Sequence, residues 1–134
     1  MANEAVIVEL MGQPKGMPVS FLCDDAVGIE KGTILWFTDL KKISGASTTG
    51  APFAGIAAHD KVANDGSTHI GCYTCGIFDL YAQGAITCGA HCFLSGQNMV
   101  AVATEAGIAS GWAVGKVLET ASAAETVQVA VGIY

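Results

Sequence analysis

Four of the five cysteines fall into two closely spaced pairs, which is the pattern in this sequence most capable of chemistry. Cys72 and Cys75 form a C-x2-C pair, and after twelve residues Cys88 and Cys92 form a C-x3-C pair. Such spacing can hold a tetrahedral zinc ion. In an extended strand, however, Cys72 and Cys75 project to opposite faces, so both bind one metal only if the chain turns sharply between them. A structural zinc site or redox-active cysteines are therefore an alternative, and buried strand thiols without a metal are the favoured interpretation.

Catalytic motifs are absent from the sequence. His91 and Cys92 are adjacent, and neighbouring strand residues face opposite ways, so the sequence pairs no thiol with a base. There is no G-x-S-x-G elbow, P-loop, dinucleotide-binding glycine motif or H-E-x-x-H. Asp24 and Asp25 precede Ala-Val-Gly-Ile, which lacks the alternating oxygen ligands of a calcium loop. We expect no enzyme activity and no cofactor.

The composition argues against several classes of function. The 134 residues include 12 acidic residues, six lysines and no arginine, and the net charge is −6. Binding to nucleic acid requires a basic face, so we expect none. No apolar run approaches the roughly 18 residues of a membrane span, and the N-terminus is acidic where a secretory signal is basic. An odd number of cysteines argues against a fully paired disulfide framework and favours reduced thiols in a cytosolic protein. The 51% apolar content predicts surfaces covered by partner subunits.

Short strands dominate the pattern of apolar residues. The clearest is Thr126 to Tyr134, where Val127, Val129, Val131 and Ile133 alternate with smaller or polar residues. Seventeen glycines fit turns and bulges better than helix interiors, and only 81–85 and 104–110 suit a helical turn or two. The sequence predicts an all-β fold with little helix, a small barrel or sandwich. Shorter strands are predicted at 6–10, 19–23, 33–38, 55–58, 68–73, 77–81, 99–103 and 112–119.

The chain also contains an internal repeat. Gly32 before an apolar strand corresponds to Gly89, Gly55 in Ala-Gly-Ile-Ala corresponds to Gly115 in Val-Gly-Lys-Val, and Gly76 corresponds to Gly132. The offsets are 57, 60 and 56 residues. A shared offset across three motifs predicts two similar β-meanders. We expect the two to close one barrel, as a single β domain over residues 26–134.

Residues 1–25 have a different character and are predicted to form an extended N-terminal arm. Pro14 and Pro18 exclude a helix there. Two alternatives remain: the arm adds a strand to the sheet edge of a partner, or it forms the first edge strand of its own domain. The apolar residues expected to contact a partner are Val6, Ile7, Val8, Leu10, Met11 and Met17.

The segment Ile34-Leu35-Trp36-Phe37 is apolar on both faces of a strand. One face is expected to meet the core and the other a neighbouring subunit. Trp36 and Phe37 are the predicted subunit-interface residues.

The order of these motifs resembles the capsid cement (head decoration) proteins of tailed phages. The resemblance runs from about Val27 to Tyr134 and is best at Gly-Ile-Phe-Asp-Leu (76–80) and Val-Gly-Lys-Val-Leu-Glu (114–119). It implies a virion protein on the outside of the expanded head, commonly a homotrimer, with the N-terminal arm reaching the major capsid protein. No catalytic residues come with the family. Five cysteines and a longer N-terminus depart from its pattern, and another virion component, such as a tail protein, is a further alternative.

Overall fold

The computed structural model describes residues 3–9, 18–45 and 51–132. These residues form eleven strands and one five-residue helix, so the all-β prediction is confirmed. No helix within these ranges is long and apolar enough to cross a membrane. The elements are β1 (Val6–Glu9), β2 (Val19–Cys23), β3 (Ile34–Asp39), β4 (Lys42–Gly45), β5 (Phe53–Ala57), β6 (His69–Tyr73), β7 (Gly76–Ala82), β8 (His91–Leu94), β9 (Met99–Val102), α1 (Glu105–Ala109), β10 (Ala113–Val117) and β11 (Glu125–Val131).

The strands form two closed five-stranded barrels in tandem. Barrel 1 has the strand order β2-β4-β3-β5-β6, and barrel 2 has the order β7-β9-β8-β10-β11. Both barrels are closed in the same way, by an antiparallel pair between the first and last strands and a short parallel pair between the first and third. The extra strand β1 pairs with β7 at the edge of barrel 2.

Backbone geometry confirms the internal repeat. The isolated bridge between Ile29 and Lys61 in barrel 1 has a counterpart between Ile86 and Ala121 in barrel 2. Left-handed backbone conformations also recur, at Lys41 and Asn98, which are 57 residues apart and have φ values of 52° and 56°. The prediction that both meanders close one barrel is wrong in that respect. Each repeat contains all the strand pairings needed for closure, so each closes a barrel of its own.

The two barrels have separate interiors. The interior of barrel 1 includes Cys23, Leu35, Ile43, Ile70 and Cys72. In barrel 2, Val127, Val129 and Val131 of β11 are fully buried, as their alternation predicts. Since burial of apolar area is the main driving force for folding, each barrel carries a core large enough to define its own strand register.

The outer face of barrel 1 packs against barrel 2. Ile34 and Ile56 point away from the interior of barrel 1 and are buried in the same cluster as Phe78 of barrel 2. A buried hydrogen bond crosses this boundary: the Ile34 N–H donates to Asn98 Oδ1 at 2.9 Å. The equivalent outer positions on barrel 2 are His91, which is half-buried, and Lys116, which is exposed. The boundary between the barrels is therefore a specific contact built from one face of barrel 1.

A buried lysine distinguishes the two repeats. The Lys61 ammonium donates to the carbonyl oxygens of Asp25 and Val27, at 2.9 and 3.0 Å, and lies 3.6 Å from Asp65 Oδ1. Its partners satisfy a charge that burial would otherwise disfavour. Ala121 takes the equivalent position in barrel 2, so the lysine secures the loop at one end of barrel 1 alone.

Two local predictions have different outcomes. A helical turn at 104–110 is confirmed: α1 occupies Glu105–Ala109, and the Thr104 hydroxyl caps it by accepting from the Gly107 N–H at 3.0 Å. The helical turn predicted at 81–85 is wrong, because β7 continues to Ala82 and the chain then bends. Tyr81 and Ala82 pair with β9, and this pairing holds them extended.

The predicted arm, residues 1–25, contains two strands with different places in the fold. Val19–Cys23 is β2, a closing strand of barrel 1, so the barrel begins before the predicted boundary at residue 26. Val6–Glu9 is β1, which pairs with β7 of the same chain. For residues 6–9 the edge-strand alternative therefore describes the structure. Leu10, Met11 and Met17 lie outside the described residues.

Candidate binding surfaces

The structure does not bring the four paired cysteines together. Cys72 points into barrel 1 and Cys92 into barrel 2, and both are fully buried. Cys75 is half-buried in the connection between the barrels, and Cys88 is exposed, with its thiol donating to the Leu118 carbonyl at 3.3 Å. Among the described residues, which include all five cysteines, no three His, Cys, Asp or Glu side chains lie where they could hold a metal ion. The zinc alternative therefore lacks the geometry it requires.

Burial also makes the two core thiols poor nucleophiles. Desolvation raises the pKa of Cys72 to about 12 and the pKa of Cys92 to about 12. The reactive species is the thiolate, so both groups stay protonated and inert at neutral pH. Their chemical role is that of small apolar side chains in two separate cores.

We expect the cysteines to react with a maleimide in the order of their exposure. At pH 8, mass spectrometry of the native protein should find label at Cys88, and at Cys72 and Cys92 only after denaturant is added. Stoichiometric labelling of native Cys72 would contradict this assignment.

The same two core thiols make stability depend on pH. In the unfolded chain Cys72 and Cys92 have a pKa near 9, whereas in the folded protein their pKa is about 12. Stability should therefore be complete below pH 9 and fall progressively between pH 9 and 12.

The arm residues that the structure describes lie against barrel 2. Ile7 packs against the core of barrel 2, and Val6 is 58% exposed. Val8 follows Ile7 in strand β1. Whether any of these residues contacts a capsid protein stays a prediction.

Trp36 and Phe37 have different surroundings. Trp36 is half-buried against the cluster that joins the two barrels, so its neighbour is the second barrel of its own chain. Phe37 is 36% exposed, and its ring contacts Phe21 edge-on with centroids 5.5 Å apart. Of the two, Phe37 is therefore the residue available to another molecule.

Phe37 belongs to an exposed apolar group at one end of barrel 1, which we call the edge patch. Its members are Val19, Phe21, Leu22, Phe37 and Leu40. On one face of β2, the Phe21 ring contacts Phe37. Leu22 projects from the opposite face, and its N–H donates to the Lys41 carbonyl, next to Leu40 in the chain. Exposed apolar groups of this kind mark surfaces that bind partners.

The internal repeat shows how unusual this exposure is. By strand register, the equivalents of Val19 and Phe37 in barrel 2 are Phe78 and Leu94. Both are 0% exposed, whereas Val19 is 43% and Phe37 is 36% exposed. Ile7 of β1 packs in the cluster that contains Phe78, and Tyr73 lies against Phe78 with ring centroids 6.0 Å apart. Barrel 2 thus has its end covered by the rest of the chain, whereas the same end of barrel 1 is open in the part of the chain that the structure describes.

A shallow cavity of about 330 Å³ lies near this end of barrel 1. Asp24, Asp39 and Lys42 supply its charged groups, and Val27, Thr38, Ile43 and Ser44 complete its lining. No histidine or cysteine is among its lining residues.

Comparison with solved structures shows a likeness in fold. The chain is similar to the N base of the head fiber protein gp8.5 of bacteriophage phi29, with a TM-score of 0.54 and 18% identity over 86% of this chain and 94% of that one. No protein-family model and no curated protein sequence matches this chain. The shared feature is the fold.

Sequence reasoning missed three residues that organise the surfaces. Asn98 was recognised only as part of a turn, because a sequence does not reveal which amide will meet a backbone N–H from another barrel. Leu22 and Leu40 fall outside strict alternation, and nothing in their types separates an exposed leucine from a buried one. The internal repeat is a signal for Asn98, because it aligns that residue with Lys41 at the equivalent turn.

Proposed function

We propose that this protein is a structural component of a tailed-phage head: a decoration (cement) protein that binds the outside of the expanded shell as a homotrimer. The main support is the tandem-barrel fold, which matches a phage head fiber base over almost the whole of both chains. The order of motifs that resembles cement proteins points to the same class of virion protein. We further propose that its role is adhesion and not catalysis.

The proposed mechanism is selective binding. A protein that binds only the expanded lattice stabilises that state by mass action, by about 2.7 kcal/mol per site when its free concentration is 100 times its dissociation constant. A trimer engages three sites at once, so its overall affinity exceeds that of each contact. The net charge of −6 keeps such a protein from binding the packaged DNA.

The major capsid protein is the proposed partner, and the arm residues Val6, Ile7, Val8, Leu10, Met11 and Met17 are the proposed contact. β1 already pairs with β7. We therefore assign the larger part of the capsid contact to the residues that follow Glu9. This assignment depends on the resemblance to cement proteins.

Binding to purified heads tests the proposal. Tagged protein should co-sediment with expanded heads, whether filled or emptied of DNA, and should not sediment with unexpanded heads. Expanded heads carrying it should also survive a chelator or heating step that disrupts bare heads. Equal binding to both head forms, or to neither, would remove the mechanism.

A second candidate is the base of a head appendage, because the structural likeness is to the base of a head fiber. Electron micrographs of the virion distinguish the two. A cement protein gives a periodic layer over the shell, whereas a fibre base carries a projecting fibre. Label at the tail would instead support the alternative of a tail protein.

A further inference from the structure

We propose that the exposed edge of β2 in barrel 1 pairs with strand β1 of a second copy of this chain, so that copies associate head to tail. This inference goes beyond attachment to a shell, because it concerns the contact between copies. It depends on the equivalence of the two barrels and on two strand edges that lie on different parts of the molecule.

The first edge is the beginning of β2. Val19–Leu22 pair with β6 on one side, but β4 reaches only Leu22 and Cys23 on the other. In the described residues, positions 19–21 therefore have a strand on one side alone. Unpaired backbone groups in a row form a template for a further strand.

The internal repeat identifies what binds such an edge. In barrel 2 the third strand, β9, likewise reaches only Tyr81 and Ala82 of β7. The remaining stretch of that edge is filled by β1, whose Val6 and Ile7 pair with Asp79 and Phe78. The ligand that this kind of barrel accepts at this place is thus a short extended strand of apolar residues.

The second edge belongs to β1 itself. Within the described ranges β1 has one strand partner, β7, and Val6 is 58% exposed. The Ala5 N–H, just before β1, donates to the Gly32 carbonyl of barrel 1 at 2.7 Å. In the described residues each copy therefore presents one free edge at β2 and one at β1 that is open from Ile7 onward. Because the two edges are different surfaces, pairing between them is heterologous and closes into a ring when the rotation between copies allows it.

The edge patch provides apolar area beyond the backbone pairing. Val19 and Leu22 are 43% and 40% exposed on opposite faces of the strand, and Phe37 lies beside them. Val19 and Ser20 are the register equivalents of Phe78 and Asp79, beside which β1 lies in barrel 2. An incoming β1 would therefore lie along Val19 and Ser20, and the residues flanking it would cover Phe37. Specific association needs about 800 Å² per partner, which a four-residue strand reaches only with such flanking contacts.

A single backbone atom makes the contact testable. The Cys23 N–H donates to Thr68 next to β6, and the Leu22 N–H donates to Lys41 on the opposite side. Since strand N–H groups alternate, the Ser20 N–H points away from β6, toward the free edge. Ser20→Pro deletes that donor and places a ring at the edge while leaving the bonds to β6 in place. Ser20→Ala is the matched control, because it removes the hydroxyl and keeps the N–H.

Light scattering over a concentration series gives the result. Wild type and Ser20→Ala should form the same oligomer, and Ser20→Pro should raise the concentration for half-association by at least about tenfold, with an unchanged circular dichroism spectrum. A Ser20→Pro protein that associates like wild type would overturn the proposal, as would a wild type that is monomeric at all concentrations. If residues 10–17 of the same chain cover this edge instead, Ser20→Pro will associate like wild type.

Hydrogen exchange covers the case in which Ser20→Pro does not fold. In wild type the Ser20 amide should exchange at least about tenfold more slowly above the association concentration than below it, whereas the Gly84 amide should not change. Equal exchange of Ser20 at both concentrations would exclude the contact. Head binding is measured separately. A monomer that still binds expanded heads contradicts this inference and the proposed homotrimer, and leaves the proposed attachment to the expanded shell intact.

Discussion

Gly115→Ala is expected to destabilise the protein by about 3 kcal/mol or more and to lower its Tm by roughly 10 °C. A Cβ atom at this position would lie closer to the Ala130 carbonyl oxygen and to Val131 Cα than Cβ atoms approach non-bonded neighbours in folded proteins. β10 is held between β8 and β11, so neither neighbour can move away without loss of barrel closure. Thermal and urea unfolding measure the change.

Gly84→Ala is the matched control for Gly115→Ala. No atom lies within 4 Å of a Cβ built there, and its backbone is not in the left-handed region. The same chemical change should therefore be neutral or stabilising by about 0.5 kcal/mol, through lower entropy of the unfolded chain. If both variants lose the same stability, close approach of β10 and β11 is not what requires Gly115.

Asn98→Gly is expected to lower the free energy of unfolding by about 2–3 kcal/mol, because the Ile34 N–H would remain buried without its side-chain acceptor. Glycine tolerates the φ of 56° at this position, so the loss reports the side chain and not the backbone. Asn98→Ala should lose more, since alanine adds the strain of the left-handed conformation. Urea unfolding at fixed pH measures all variants.

Lys41→Gly gives the comparison for Asn98→Gly. Lys41 has nearly the same φ at the equivalent turn of barrel 1, and its side chain is exposed. This variant should stay within about 0.5 kcal/mol of wild type. A loss at Lys41 as large as that at Asn98 would show that the turn conformation, and not the bond between the barrels, determines the stability.

The strands and the duplication could be predicted because both are local patterns. Alternation alone identifies Val127, Val129 and Val131 as the inner face of β11, and the recurring glycines mark equivalent turns and close approaches in two repeats. The repeat does not predict which strands pair to close each barrel. Whether β2 pairs with β6 in its own repeat or with a strand of the other depends on contacts between distant residues, which alternation does not encode.

The surfaces were harder to predict than the strands. Ile34 and Trp36 are apolar on the outside of a barrel, and the sequence does not distinguish a neighbouring subunit from a second barrel in the same chain. The cysteines show the converse problem. Their spacing along the chain resembles that of a zinc site, but Cys72 and Cys92 lie in two different cores. Spacing along the chain measures distance in space only where the path between the residues is known.

The place of β1 in the sheet has a consequence for synthesis. Each barrel is built from strands close together in the chain, so barrel 1 is able to close while barrel 2 is still being translated. β1 is different, because Val6 pairs with Asp79 and no partner exists until β7 has emerged from the ribosome. During that interval Val6-Ile7-Val8 is an unpaired apolar strand on each nascent chain. On a crowded polysome a neighbouring chain's β7 offers it the same bonds as its own, which makes strand exchange between nascent copies a direct route to domain-swapped dimers.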